Sequence, residues 1–374
     1  MISALMNTPR KGVGRPSVLL DMRPLQGPSA ARGVGAYARG LLKGLIRAGF
    51  DSNLTLLLDV AFNEPELPVG QFKIAGCRRR SHGQLAAYED AVALTDDIKR
   101  IRPDVYHALD FHLPGRSPCP LVVTLHDLIP WAWRGPRMGG ERLRYGLFRR
   151  LLGRADVVIA VSNATAGDAR RLGVVPQRRI RVIPEAADPV FTPKHGAPGR
   201  IKVKWKVDGR YLLFVGALDA RKDPRALLDA WTAARVSHPD LQLLIAGVPG
   251  RQAPPSMSGA VQLGRVDDEE LADLYSAASC LPFSSRYEGF GLPCLEAMAC
   301  GCPVAAFRNS SIPEVVDDAG MLVEDGDGEA LGNAAAAMIR EPDRWRRAGL
   351  QQARKFSWDR AARETISAYE SLLP

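Results

Sequence analysis

Residues 288–296 read Glu-Gly-Phe-Gly-Leu-Pro-Cys-Leu-Glu, two carboxylates separated by seven residues, with two glycines and a proline between them. A helix that only packs has no use for that arrangement. Pro293 suits the first position of a helix, where its missing N–H costs nothing. Gly289 and Gly291 form an approach with little side-chain bulk. The result is a helix N-terminus with free N–H groups and a positive dipole end, open to an anion such as a diphosphate. Glu296 falls about one turn inside that helix, its side chain leaning back toward the N-terminus, and Glu288 stands just outside on the loop. A carboxylate beside a phosphate is costly unless it accepts from neutral hydroxyls. Sugar hydroxyls answer that need, so the stretch predicts binding of a nucleotide sugar.

At 374 residues the chain is too long for one ordinary core, which predicts two domains. Its 46% hydrophobic and 24% charged residues are an ordinary globular balance. The opening MISALMNTPRKGVGRP lacks the apolar run of a signal peptide, and no long uncharged apolar run predicts a membrane-spanning helix. The six cysteines are scattered, without disulfide-framework or zinc spacing, and predict buried free thiols in a reducing, cytoplasmic compartment. Residues 1–195 carry 29 Lys+Arg against 17 Asp+Glu, whereas the remainder carries 21 against 24, so the net +9 resides in the first half. Its arginines cluster over Arg134–Arg154, mixed with Leu, Tyr and Phe. A solvated helix face is the bland reading; peripheral contact with an anionic inner membrane face, or a phosphate-bearing acceptor, is the sharper one. No nucleic-acid module or aromatic–basic interleaving is present, so no nucleic-acid partner is expected.

Short apolar runs alternate with helical patterns along the whole chain. Strands are expected at Val18–Leu20, Leu54–Leu58, Val105–His107, Leu121–Leu125, Val157–Val161 and Ile180–Ile183. The second half repeats the scheme at Tyr211–Val215, Leu241–Ala246, Val261–Leu263, Cys280–Phe283, Pro303–Ala306 and Gly320–Val323. Intervening helices include Gly35–Ala48, Ala87–Ile101, Pro224–Ala234, Asp268–Ala278, Pro293–Ala299 and Glu329–Ile339. Such alternation means parallel α/β sheets that bind ligands at the carboxyl ends of their strands. Two domains facing across a cleft are expected, with residues 189–209, rich in Pro, Gly and Lys, as the linker.

The second domain opens on a buried strand, a turn at Gly216, then adjacent Arg221 and Lys222 before a helix. Cations at the carboxyl end of a first strand are placed to neutralise a diphosphate. Alone the pair is an ordinary surface feature; the 288–296 segment in the same half gives it a purpose.

The longer stretch SRYEGFGLPCLEAMACGCPVAAFRNSSIPEVVDDAG resembles the nucleotide-binding core of the family 4 retaining glycosyltransferases. The likeness runs through Asp21–Gly27 followed by Gly33-Val-Gly-Ala-Tyr37, Val122–Pro130 with its central His126-Asp127-Leu128, Ala155–Ser162 and Phe356-Ser-Trp358. The wording is closest to the O-antigen-type mannosyltransferase subgroup. The resemblance implies a GT-B fold, two Rossmann-like parallel-sheet domains facing across a cleft. Residues 1–190 would form the acceptor-binding domain and 191–356 the linker and nucleotide-sugar domain, with a last helix at about 357–374 crossing back to the first. Three departures stand out: Glu185-Ala186 where the family commonly has Asn-Gly, Asp223 after the lysine, and Met22 where Gly is frequent.

By the same resemblance, Glu296 would bind the donor ribose and Glu288 the hydroxyls of the transferred sugar, with the N–H groups of Gly291 and Leu292 at the phosphates and Gly289 and Phe290 also on the donor. Arg221 and Lys222 would offset charge on the departing diphosphate, and Gly216 would leave room beside them. His126 would face the sugar from across the cleft. Gly33, Gly35, Tyr37 and Asp127 fall on the acceptor side, Asp127 holding its loop. Trp131 and Trp133 offer an apolar wall for an acceptor, with core or rim packing as the reading for at least one of them, and Ser310, Ser311 and Glu314 read as capping residues of their own helix. No Asp-x-Asp pair is placed for a metal, and no convincing nucleophile stands on the first domain. The expected reaction is therefore metal-free retaining transfer, with no cofactor beyond the donor (GDP-mannose or a UDP-hexose) and with a glycan, lipid-linked or natural-product acceptor. The leaving phosphate would help to deprotonate the acceptor hydroxyl. A non-catalytic nucleotide-sugar-binding protein of the same fold is the alternative.

Overall fold

The computed structural model describes residues 14–27, 30, 33–79, 84–136, 138–247 and 259–373. Its first seven strands are β1 Val18–Asp21, β2 Leu54–Asp59, β3 Lys73–Cys77, β4 Val105–Ala108, β5 Leu121–Leu125, β6 Val157–Ala160 and β7 Ile180–Val182. They form one parallel sheet in the order β3-β2-β1-β4-β5-β6-β7. Its helices are α1 Gly33–Arg47, α2 Gln84–Ile101, α3 Ile129–Ala132, α4 Met138–Arg144, α5 Gly146–Leu152 and α6 Asn163–Arg171. Strands β1, β4, β5 and β6 are buried along their whole length, as expected where helices cover both faces of a parallel sheet.

The second domain holds α7 Ala197–Trp205, β8 Tyr211–Val215, α8 Pro224–Ser237, β9 Gln242–Ala246, β10 Val261–Gly264, α9 Asp268–Ala277 and β11 Leu281–Phe283. It continues through α10 Leu292–Ala299, β12 Val304–Phe307, α11 Ile312–Val316, β13 Met321–Val323, α12 Gly328–Arg340 and α13 Pro342–Ala353, and the chain ends in α14 Trp358–Glu370. Strands β10-β9-β8 and β11-β12-β13 are each parallel. Leu213 N–H donates to the Cys280 carbonyl at 3.1 Å, which joins β8 to β11 and makes the two ladders one surface.

Residues 189–209 are not a bare linker. Helix α7 lies within them, and the Arg200–Asp273 ion pair at 2.5 Å pins it to α9. Helix α14 returns to α1 of the first domain. Its entry is set by Gly40 and Gly44, one turn apart on α1, where a Cβ would overlap Trp358. Trp358 is buried there, edge-on to Tyr37 at 5.5 Å, and Tyr369 Oη lies 2.6 Å from His107 Nδ1. The six cysteines are unpaired. Among the described residues no helix is long and apolar enough to cross a membrane.

Candidate nucleotide-sugar site

The turn after β8 sets the two cations. Asp219 Oδ1 accepts from the backbone N–H groups of Arg221 and Lys222 at 3.0 and 3.1 Å. Asp223 then caps α8 by accepting from Ala226 N–H at 3.1 Å, with Pro224 opening the helix. Arg221 Nη1, Lys222 Nζ and Ser285 Oγ all converge on Glu288 Oε1, at 2.7, 2.6 and 2.6 Å. Burial raises the Glu288 carboxyl, but the charges of Arg221 and Lys222 and their hydrogen bonds outweigh it and hold the group down at about 2. Two cations thus meet on one carboxylate, with Asp219 and Asp127 as further acidic neighbours of Arg221. Lys222 Nζ also sits 4.5 Å from the centre of the Phe283 ring. Gly216 turns the chain beside Lys222 at φ 129°, a conformation that favours glycine.

Beside this cluster, α10 begins at Leu292 with Gly291 as its N-cap at φ 110°, and no side chain caps the first turn. Pro293 has no N–H, and those of Cys294 and Leu295 donate to the Gly291 carbonyl at 3.0 and 3.3 Å, so the N–H that the helix start offers is that of Leu292. The turn that carries it is fixed from α11: Ser310 Oγ accepts from Glu288 N–H at 2.9 Å, and Ser311 Oγ donates to the Phe290 carbonyl at 2.6 Å. Phe290 is buried against Phe356 and contributes packing with its ring. Glu296 sits within α10 and accepts from Tyr275 Oη at 3.2 Å. Burial, only partly offset by Tyr275, pushes its carboxyl up to about 8, with Asp268, Glu185 and Asp188 adding repulsion.

The first domain closes on Gly289. Ser162 Oγ and Thr165 Oγ1 donate to the Gly289 carbonyl at 2.6 and 3.0 Å, and a Cβ at Gly289 would overlap the His126 carbonyl oxygen. Glu314 does not cap its own helix. It reaches across the cleft to accept from Asn163 N–H and Ala164 N–H, each at 2.7 Å, at the start of α6. Tyr287 Oη donates to the Asp168 carboxylate across the same seam.

His126 follows β5 directly. Its Nε2 lies 3.0 Å from the Leu109 carbonyl and its Nδ1 lies 3.6 Å from Glu185 Oε1, so both ring nitrogens face protein acceptors. Asp127 Oδ1 accepts from Ile129 N–H at 3.0 Å and holds the loop. Residues 33–35 form the first turn of α1, not a separate glycine loop. A Cβ added at Gly33 would lie 3.8 Å from the Leu292 side chain of the second domain, and one at Gly35 would overlap the Ala30 carbonyl. Tyr37 is buried at 1% exposure, 5.0 Å edge-on to the His126 ring, and its hydroxyl accepts from Thr124 at 3.2 Å. It supports His126 from behind and does not line the cleft.

In front of His126 and Asp127 opens a cavity of about 540 Å³. Phe111, Trp131, Trp133, Tyr145 and Phe148 wall it, Asp110 and Glu141 add carboxylates, and Asp219 and Arg221 close it from the second domain. Both tryptophans therefore belong to its wall. That volume is within the usual range of small-molecule sites.

The model of "Glycosyltransferase Family 4" matches residues 31–191, and that of "Glycosyl transferases group 1" matches residues 209–341. The chain belongs to glycosyltransferase family 4. It is similar to the O-antigen chain mannosyltransferase B of Escherichia coli, 29% identical over 95% of this chain and 100% of that one. Among solved structures it is similar to the sucrose-phosphate synthase of Thermosynechococcus elongatus (TM-score 0.77, 22% identity, 96% of this chain and 99% of that one). A second is Anabaena HepE in complex with UDP and glucose (TM-score 0.71, 18% identity, 96% and 100% covered). The fold is GT-B.

In this glycosyltransferase the structure gathers Gly216, Arg221, Lys222, Glu288, Gly289, Gly291 and Leu292 around one turn, with Glu296 further along α10. Sequence reasoning assigned Glu288 to the sugar and the two cations to the diphosphate; here they are ion-paired with one another. Ser162, Thr165, Ser285, Glu185 and the trans-domain role of Glu314 went unseen. Glu185 had a signal as a departure from the family pattern, and Ser162 as the end of the Ala155–Ser162 stretch.

Proposed function

We propose that this glycosyltransferase moves a hexose, mannose in the first instance, from GDP-mannose or a UDP-hexose to a hydroxyl of a glycan, with retention and without a metal. The observation that carries the reading is the convergence of Arg221 and Lys222 on Glu288 beside the uncapped start of α10. The diphosphate takes the charge of Arg221 and Lys222 and the Leu292 N–H at the helix start. Once it draws Arg221 and Lys222 toward itself, Glu288 is released to accept from hydroxyls of the sugar. The C1–O bond to phosphate then breaks, the acceptor oxygen bonds C1 on the same face, and the acceptor proton passes to the leaving diphosphate. Arg221 and Lys222 supply the positive charge that this leaving group needs.

The aromatic cavity next to His126 suits the apolar faces of an acceptor saccharide, and Asp110 and Glu141 suit its hydroxyls. Trp131 also borders two grooves lined by Arg134, Arg142, Arg149, Arg150 and Arg171. They fit a phosphate-bearing, lipid-linked acceptor and peripheral contact with an anionic membrane surface. Incubating the purified protein with GDP-mannose and UDP-glucose, with and without EDTA, tests the core of the reading. Nucleoside diphosphate release that survives EDTA and is lost in Glu288→Ala is expected; binding of nucleotide sugars without release would favour the non-catalytic alternative.

A further inference from the structure

Glu185 follows β7 by three residues, where the chain leaves the first sheet for the second domain. It is only 3% exposed, and its Oε2 has no hydrogen-bond partner. Its Oε1 faces His126 Nδ1 at 3.6 Å, an ion-pair distance. Among the described residues no lysine or arginine pairs with it, so His126 is its cation. The other ring nitrogen, Nε2, is 3.0 Å from the Leu109 carbonyl, which can only accept. With its proton on Nε2 given to that carbonyl, the ring turns Nδ1 to a carboxylate that favours a second proton there.

We propose that Glu185 is a positioning residue of the transfer site, which holds the His126 ring as a double donor in the wall facing the second domain. It thereby gives that wall a fixed positive charge and steadies the His126–Asp127 loop, whose main chain packs on Gly289. This rests on the transferase reading above.

The neighbours of His126 are consistent with that state. Asp110 after β4 and Asp127 beside it face the ring, with their own carboxyls raised by burial, and Tyr37 of α1 packs at right angles to it. His107 of β4 is pushed down to about 3 by burial and then by His126. It stays neutral, bonded to Tyr369 and Thr124. Burial disfavours charge on His126, but Glu185 first and Leu109 and Asp110 after it raise its pKa above the usual value. The protonated state is therefore held more firmly than in a free imidazole and is lost as pH rises through the raised value. Taking the carboxylate away moves that loss to lower pH.

The test uses the full chain as wild type, Glu185→Gln and Glu185→Asp, with ¹⁵N-labelled histidine titrated by NMR alongside pH–rate profiles. In Glu185→Gln, His126 should titrate about one pH unit lower or more, which is a roughly tenfold weaker hold on the proton. The alkaline loss of kcat should move down with it, while KM for the donor stays within about twofold. Glu185→Asp should recover both. An unchanged His126 titration, or a fall in kcat with no movement of the pH profile, overturns the proposal. If Glu185→Gln does not fold, wild-type His126 decides the matter, and a singly protonated ring at pH 6.5 refutes it. If wild type transfers no sugar from any donor, the transferase reading fails, and the titration still judges the ion pair.

Discussion

Glu296→Gln removes a titrating carboxyl from beside Tyr275 while keeping the size of the side chain. In the folded chain that carboxyl is raised from 4.5 to about 8, chiefly by burial. At about 1.4 kcal/mol per pH unit, ionising it inside the fold costs on the order of 5 kcal/mol more than in the unfolded chain. Below pH 4.5 both states hold the proton and nothing is lost. Between 4.5 and about 8 only the unfolded chain releases it, so wild type loses stability as pH rises through that window. Above it both states are ionised and the loss is complete. Glutamine never ionises, so the variant escapes this loss. Urea melts of wild type and Glu296→Gln at pH 5 and pH 8.5 measure the difference directly. The variant should gain several kcal/mol relative to wild type at the higher pH, and should lose the thermal stabilisation that a nucleoside diphosphate gives wild type. Parallel pH dependence in the two proteins would refute the burial argument. Retained nucleotide stabilisation in the variant would refute the ribose contact.

Other consequences follow from the seam and the surface. Gly289→Ala should reduce transfer about 10²-fold or more, because its methyl group meets the His126 carbonyl and holds the domains apart; turnover with saturating donor checks it. Glu314→Ala strips the start of α6 of its trans-domain acceptor and should cost about 2 kcal/mol in urea melts, because hydrogen bonds to a charged group are lost. Arg134→Ser with Arg150→Ser removes two exposed cations beside Trp131. Vesicles of phosphatidylserine should bind that variant about 2 kcal/mol more weakly at low salt, with donor hydrolysis unchanged.

Much of this fold is legible in the sequence because buried parallel strands have little choice of residue. The strands of the second domain, and all but one of the first, coincide with apolar runs. The exception, β3, is an edge strand whose Lys73, Ile74 and Gly76 are exposed, leaving only Cys77 buried, so neither continuous apolarity nor alternation marks it. Site residues divide in the same way. The helix start at Gly291 depends on local backbone chemistry and can be read from Gly-Leu-Pro. The pairing of Glu288 with Arg221 and Lys222 spans more than sixty residues of chain and depends on where two turns meet. Tyr37 looked like a polar residue next to a glycine loop, but its ring fills the space between His126 and Trp358. Glu314 looked like a local cap because nothing in its own segment announces a partner on α6. Such residues report on the closure of the two domains, which no stretch of sequence contains.

The central claim is transfer from a nucleotide sugar at the Arg221–Lys222–Glu288 cluster on the donor's own face. The anomeric configuration of the product formed from an α-linked nucleotide hexose, read by NMR at early times, tests it most directly. The account predicts an α-linked product in wild type and none from Glu288→Ala. A β-linked product would contradict it.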